Sequence, residues 1–283
     1  MLRPIPRIDS HQHFWHYDPV RDAWITPEMA AIQRDFGPAN LQPVLVKHGF
    51  DGCVAVQASQ SAAETEFLLA LAAEHDFIQG VVGWVDLQAA DVAGQLAQYQ
   101  QFGKLRGFRH VLQGEPDRAL LLRPAFRRGI AALATHGFTY DLLILPDQLG
   151  YAAELAAAFP EQPFVVDHLA KPLIKAGKLE PWRQGIRALA ARENVCCKVS
   201  GMVTEADWQH WQPQDFRPYL DVVFEAFGPQ RVLYGSDWPV CEVAGGYGRA
   251  LALLEGYLHP FSATEQAQFW GGNATRFYNL NAS

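Results

Sequence analysis

The sequence is short of sulfur and has no clusters of charge, and each shortage narrows its reading. Its four cysteines, Cys53, Cys196, Cys197 and Cys241, form no C-x-x-C pair, and three lie in apolar runs or just beyond one. A disulfide framework is thereby disfavoured; buried free thiols in a reducing, cytoplasmic compartment fit better. Cys241, just past the last apolar run, leaves a thiol nucleophile open as an alternative. No stretch approaches the roughly 18 apolar residues that a membrane span needs. Met1 to Arg7 holds two arginines and two prolines without an apolar core, unlike a signal peptide. The net charge of −7 comes without acidic runs, and the basic residues are scattered, which argues against a nucleic-acid-binding face. The absence of G-x-S-x-G, P-loop and Rossmann glycine patterns counts against serine hydrolase, nucleotide and dinucleotide chemistry.

What the chain does have is apolar material. With 49% hydrophobic and 19% charged residues, a large core is available. Eight short β-rich runs are expected as strands: 7–11, 52–58, 79–85, 105–111, 139–145, 163–168, 195–199 and 231–235. Apolar on both faces, they read as buried parallel strands, and most are followed by a helical segment in a repeat of about 30 residues. Ser61 with Glu64 predicts a capping box before a stripe of Phe67, Leu68, Leu71 and Ala72. Helices are expected over 125–135, 148–158 and 216–227, and Ser262 with Glu265 caps one more near the C-terminus. No composition break divides residues 1–283. The expectation is a single α/β domain, a distorted (β/α)8 TIM barrel with an extra C-terminal helix. Residues 14–44, rich in tryptophan, tyrosine and proline, exceed a simple connection and predict a lid or pocket wall.

Chemistry gathers where the runs end. His11 and His13 are two apart on a strand, so both imidazoles point to one side and can share a metal ion or a substrate oxygen. Asp9 shares that spacing and is expected to orient a histidine. Asp167 and His168 end the sixth run, with Lys171 just beyond as a pairing partner for the carboxylate. Asp237 follows the eighth, after Gly235 gives the backbone room and before Trp238 as an apolar wall. A carboxylate there can take a proton from water, the more so if burial raises its pKa. Arg109 and His110 close the fourth run, Tyr140 and Asp141 lie in the fifth, and Lys198 with Ser200 closes the seventh. Each taken alone is equally readable as a cap or an ion pair; together they deliver ionisable groups to one rim, where barrels of this kind build their chemistry.

These residues also resemble a known family. Ile8-Asp9-Ser10-His11-Gln12-His13-Phe14-Trp15 is similar to the opening of the amidohydrolase-related lactonases, the branch that includes the L-fuconolactonases. Val166-Asp167-His168-Leu169-Ala170-Lys171-Pro172, Lys198-Val199-Ser200-Gly201, Leu233-Tyr234-Gly235-Ser236-Asp237-Trp238-Pro239 and Gly272-Asn273-Ala274 resemble later signatures of that branch. The resemblance implies hydrolysis of a lactone, usually of a sugar acid such as L-fucono- or L-rhamnonolactone. It implies a central cluster of His11, His13, His168 and Asp237, with Asp237 and His168 catalytic and Arg109 or His110 on the substrate. Arg109-His110 and Tyr140-Asp141 depart from the strand-four lysine or glutamate and strand-five histidine of binuclear relatives. At most one divalent cation, best zinc, is then expected on His11, His13 and Asp237, or none.

The mechanism expected is direct attack of water on the lactone carbonyl. Asp237 serves as general base, and the histidines polarise the carbonyl. Trp15, Trp24 and Trp238 suit the apolar face of a sugar ring. The expected partner is a small lactone, with neither nucleic acid nor membrane involved, and a homo-oligomer is compatible. The alternative enzyme is a metal-dependent non-oxidative decarboxylase of the same superfamily; the alternative outside enzymes is a barrel that binds a sugar acid without turnover.

Overall fold

Short apolar runs buried on both faces are satisfied only in a parallel sheet that helices cover. The computed structural model describes residues 5–280. In it, eight strands pair in parallel in chain order. They are β1 (Ile8–Gln12), β2 (Gly52–Val56), β3 (Ile78–Gly83), β4 (Leu105–His110), β5 (Thr139–Leu142), β6 (Phe164–Val166), β7 (Val195–Val199) and β8 (Val232–Tyr234). The segment after β8 returns to β1. Asp237 N–H donates to the His11 carbonyl at 2.8 Å, and His13 N–H donates to the Trp238 carbonyl at 2.7 Å. The seam thus closes at the C-terminal ends, completing a (β/α)8 barrel.

The helices are α1 (Pro38–Lys47), α2 (Ala62–Glu74), α3 (Val92–Tyr99), α4 (Pro124–His136), α5 (Leu149–Ala158), α6 (Trp182–Ala190), α7 (Pro213–Phe227), α8 (Gly246–Leu258), α9 (Ala263–Ala267) and α10 (Asn273–Phe277). Among the described residues no helix is long and apolar enough to cross a membrane. Most expected strands run past the observed ends, where the chain leaves the ladder for the turns of the rim. The Ser262–Glu265 capping box is reciprocal. At α2 only half forms: Ser61 accepts from Glu64 N–H at 3.1 Å, whereas the Glu64 side chain accepts from Ala58 N–H at 3.0 Å.

Two cores result. The larger lies between the strands and the helix layer. The smaller fills the barrel with Ile8, Val54, Val56, Val82, Val165 and Leu233, joined by Ala274, Tyr278 and Leu280 of the C-terminal segment. That segment therefore plugs the barrel. The long connection after β1 is shorter than expected, since a 3-10 turn occupies Pro27–Ile32 and α1 begins at Pro38. It is also pinned: Trp15 and Phe36 exchange backbone hydrogen bonds at 3.0 Å, and the Trp15 indole donates to the Arg34 carbonyl at 2.9 Å.

Candidate active site

A bulge in β1 between Asp9 and Gln12 sets the geometry of the first histidine pair. It turns His11 and His13 inward and leaves Asp9 facing the helix layer. The expected contact of Asp9 with an imidazole is therefore corrected. Its carboxylate accepts from the backbone N–H of Ser236 at 2.9 Å and of His11 at 3.3 Å, clamping β1 to the segment that carries Asp237. Burial pushes Asp9 up to about 6, against those hydrogen bonds. Close approach is needed on the other side of this seam too. A Cβ at Gly235 would lie 2.6 Å from the His11 Cβ, which is why the chain has glycine there.

Asp237 is the hub. Its Oδ1 lies 3.4 Å from His13 Nε2, 3.9 Å from His11 Nε2 and 4.0 Å from His168 Nε2. Two backbone features bring these groups together. Asp237 has a φ of 57°, and His168, Leu169, Ala170 and Lys171 run consecutively at φ of 53°, 55°, 56° and 51°. Left-handed backbone costs a residue with a Cβ about 1–2 kcal/mol, and such strain concentrates at functional sites. The run folds the chain back immediately after β6, so that His168 faces Asp237. Ser200 holds the ring, with Oγ 2.9 Å from His168 Nδ1. His13 is held by its Nδ1, which donates to the Val56 carbonyl at 2.7 Å.

On the far side of His11 the pattern changes. Asp167 meets Arg109 at 3.0 Å through Oδ2 and Lys198 at 3.0 Å through Oδ1. Lys198 also reaches Asp141 at 2.5 Å, and the Tyr278 hydroxyl donates to the same carboxylate at 2.8 Å. Arg109 is fully engaged at both terminal nitrogens: NH1 by Asp167 at 3.0 Å and His11 Nε2 at 3.2 Å, NH2 by the Gln57 carbonyl and Oε1. Those nitrogens have no N–H left for a substrate, so the structure gives Arg109 a scaffold position. Asp167 is paired by Arg109 and Lys198 rather than by Lys171, which instead meets Glu205 at 3.5 Å.

Burial alone would raise the Asp237 carboxyl, but the imidazoles of His168, His13 and His11 outweigh it and hold it well below the usual carboxylate range. The upward shift expected from desolvation is thereby corrected. Asp167 follows the same direction: burial is overcome by Lys198, His11 and Arg109. Burial lowers His168 to about 4 and His11 well below its ordinary value, despite nearby carboxylates. At neutral pH both are neutral rings beside an ionised Asp237.

The donor set bears on a metal ion. Zn–ligand bonds of about 2.1 Å put tetrahedral ligands about 3.4 Å apart. The His13 Nε2–Asp237 Oδ1 separation of 3.4 Å meets this. Because His13 Nδ1 donates to the Val56 carbonyl, its Nε2 lone pair faces a carboxylate, an arrangement that a cation between them satisfies. His11, His13 and Asp237 do gather within ligand distance, and so do His11, Asp167 and His168. In the second group Asp167 already has Lys198 and Arg109, so the first has the spare capacity. The residues fit one ion.

The remaining expected residues scatter. His110 points away from the barrel interior, its Nε2 2.7 Å from Glu115, its Nδ1 accepting from the Trp84 indole at 3.4 Å, and its ring beside Phe126. Arg109 joins the cluster and His110 does not, because adjacent residues on a strand face opposite sides. Tyr140 likewise packs outward on Phe126 and Phe164, while Asp141 faces in. Trp15 and Trp238 are buried in an edge-to-face aromatic cluster with Phe14 and Phe36. Trp24, 43% exposed, meets the edge of Trp15 and is the tryptophan of the three with a face open to solvent. Cys241 is fully buried and burial pushes its thiol well up, which excludes it as a nucleophile. Gln57, Glu205 and Tyr278 were not expected. Gln57 had a signal, a polar residue directly after the apolar Val54-Ala55-Val56; a tyrosine near the chain end has none. A cavity of about 1530 Å³ borders Gln79, Arg106 and Arg276 at the opposite end of the barrel and contains none of these groups.

The fold and this constellation of histidines and aspartates define an enzyme class, and comparison with known proteins agrees. The amidohydrolase family model matches residues 8–280, and the chain belongs to that family. Among its relatives, an L-fucono-1,5-lactonase of Burkholderia multivorans is 41% identical, with 97% of this chain and 96% of the relative covered. An L-fucono-1,5-lactonase of Burkholderia ambifaria is 37% identical over the same shares. A solved amidohydrolase structure from Burkholderia multivorans, with zinc bound, superimposes with a TM-score of 0.93 at 41% identity, covering 97% of this chain and 99% of that one.

Proposed function

We propose that this protein hydrolyses a sugar-acid lactone, of the L-fuconolactone or L-rhamnonolactone kind, to the free acid. The observation that carries the reading is the Asp237 carboxylate, ionised and ringed by three imidazole nitrogens; the lactonase relatives at 41% and 37% identity support it. Water positioned at Asp237 attacks the carbonyl carbon as Oδ1 takes its proton. When Ser200 donates to His168 Nδ1, the Nε2 proton of His168 lies on the reacting side and stabilises the tetrahedral oxyanion. Collapse breaks the ring C–O bond, and protonated Asp237 returns its proton to the departing alkoxide. An ester-type leaving group needs no stronger acid than this.

One divalent ion, zinc as in the solved relative, would be held by His13 and Asp237, with His11 joining once Arg109 yields its Nε2. Its chemistry there would be to polarise the carbonyl. Trp24 is assigned to the sugar's apolar face, and Trp24→Ala should raise KM with little change in kcat. The free, mostly buried thiols suit the cytoplasm.

The test is proton release from a panel of aldonolactones at weakly buffered neutral pH, on enzyme as purified and after chelation, with metal content measured in both. Turnover of an L-fucono- or L-rhamnonolactone supports the reading. Silence of the folded protein, chelated or zinc-loaded, across the panel would overturn it.

A further inference from the structure

His11 stands between two cations, and a neutral imidazole has a lone pair for only one of them. Its Nδ1 lies 3.2 Å from Lys198 Nζ, and its Nε2 lies 3.2 Å from Arg109 NH1. A protonated ring is disfavoured between an ammonium and a guanidinium, so the imidazole carries one N–H and one acceptor nitrogen. The two tautomers are not equivalent. With the proton on Nε2, that N–H would meet the Arg109 N–H, and the carboxylate on that side, Asp237, is 3.9 Å away. With the proton on Nδ1, it faces Asp167 Oδ1 at 3.3 Å while Nε2 accepts from Arg109. Lys198 loses little in this second form, because Asp141 and Asp167 already engage its ammonium at 2.5 and 3.0 Å. The Nδ1–H form therefore prevails.

This form uses the Nε2 lone pair, the one on the side of Asp237. A ring nitrogen has a single in-plane lone pair, so it accepts from Arg109 or ligates an ion, not both. Nor does Arg109 depend on His11 for its place. Its NH1 is also held by Asp167 at 3.0 Å and its NH2 by the Gln57 carbonyl and Oε1, while its own carbonyl accepts from Gln57 Nε2 at 3.2 Å. A guanidinium so seated keeps its charge at every working pH.

We propose that Arg109 competes with a divalent ion for His11. The guanidinium withholds the third donor of the His11, His13 and Asp237 group and leaves His13 and Asp237 as the ligands immediately open. The site is thereby a weaker zinc binder than its three donors would make alone. Arg109 is a positioning residue: it acts through His11 and touches no reacting atom. This competition builds on the ion position proposed above and not on the substrate, so zinc binding tests it whatever the lactone panel shows.

The test is the zinc affinity of the full chain, measured by competition with a chromophoric chelator. Arg109→Gln should bind zinc about 10- to 100-fold more tightly than wild type, the worth of one hydrogen bond from a charged donor. Adding His11→Asn to Arg109→Gln should abolish that gain, whereas His11→Asn alone should change the wild-type affinity far less. Equal affinity in wild type and folded Arg109→Gln overturns the proposal. So does a gain that survives His11→Asn, since loss of a nearby positive charge would then account for it. If Arg109→Gln does not fold, the wild type decides. Nitrogen NMR of the zinc-free protein, with the His11 signals identified by their loss in His11→Asn, should show Nδ1 protonated and Nε2 accepting a hydrogen bond. A proton on Nε2 overturns the proposal.

Discussion

Asp167 and Asp237 lie on the two sides of one imidazole, at 3.3 Å from His11 Nδ1 and 3.9 Å from His11 Nε2. Both are buried, both lie just beyond strands, and both are held well below the ordinary carboxylate range. The means are different. Asp167 is matched by Lys198, then His11 and Arg109, with the ammonium and the guanidinium each fixed in place by an ion pair of 3.0 Å. Asp237 is surrounded by imidazoles that are themselves able to exchange protons. The first arrangement is saturated and suits a scaffold; the second leaves lone pairs and protons to trade and suits chemistry. A shifted pKa therefore does not by itself mark the reacting group; the kind of partner does.

The sharpest way to break this comparison is at Asp237. Asp237→Asn should lower kcat by about 10²–10⁴, the usual worth of a general base, with a melting temperature near wild type. Near-normal turnover in that variant would end its assignment as the base. Asp167→Asn should act in the other currency: it leaves Arg109 and Lys198 buried and under-paired, at about 3–5 kcal/mol of stability. Denaturant unfolding reads this directly, and a loss below about 1 kcal/mol would mean that the two carboxylates do not differ as described.

The pH profile sharpens the contrast further. His168, lowered to about 4, is neutral above that value. As pH falls through about 4 it gains a proton, becomes a cation beside Asp237, and depresses the carboxylate's basicity. The value of kcat/KM should thus be level from pH 7 to 5 and decline toward 4. An acid limb centred near 6 would instead point to Asp141, which burial pushes up to about 6 against the pull of Lys198. The smallest effect is expected in the strained turn. Ala170→Gly relieves left-handed strain of about 1 kcal/mol but exposes no new packing and removes a buried methyl of similar worth. Its melting temperature should stay close to wild type, whereas a large drop would show that the methyl matters more than the backbone.

The eight strands were legible because runs apolar on both faces have few other solutions. His11, His13, His168 and Asp237 were legible because polar residues ending such runs are costly without a purpose. What the sequence concealed was pairing. Lys198 meets Asp141 and Asp167 from strands far apart in the chain, and neither spacing nor periodicity reports such a contact. The downward shift of Asp237 was hidden for the same reason, since its causes sit on β1 and beyond β6. Arg109 and His110 were indistinguishable as neighbours in sequence; only strand register decides which one faces inward. Asp9 was misread because one bulge in β1 rotates everything after it.

The barrel's seam has a consequence for how the protein is made. His11 and His13 leave the ribosome well before Asp237 and Tyr278, which complete their surroundings. N-terminal segments emerge first during synthesis. The nascent chain therefore carries its histidines through seven strands without the carboxylate they meet. Nor does it yet hold the tyrosine that, through Asp141, steadies Lys198 beneath them. The cluster is complete only once both have emerged, however much of the barrel has already formed.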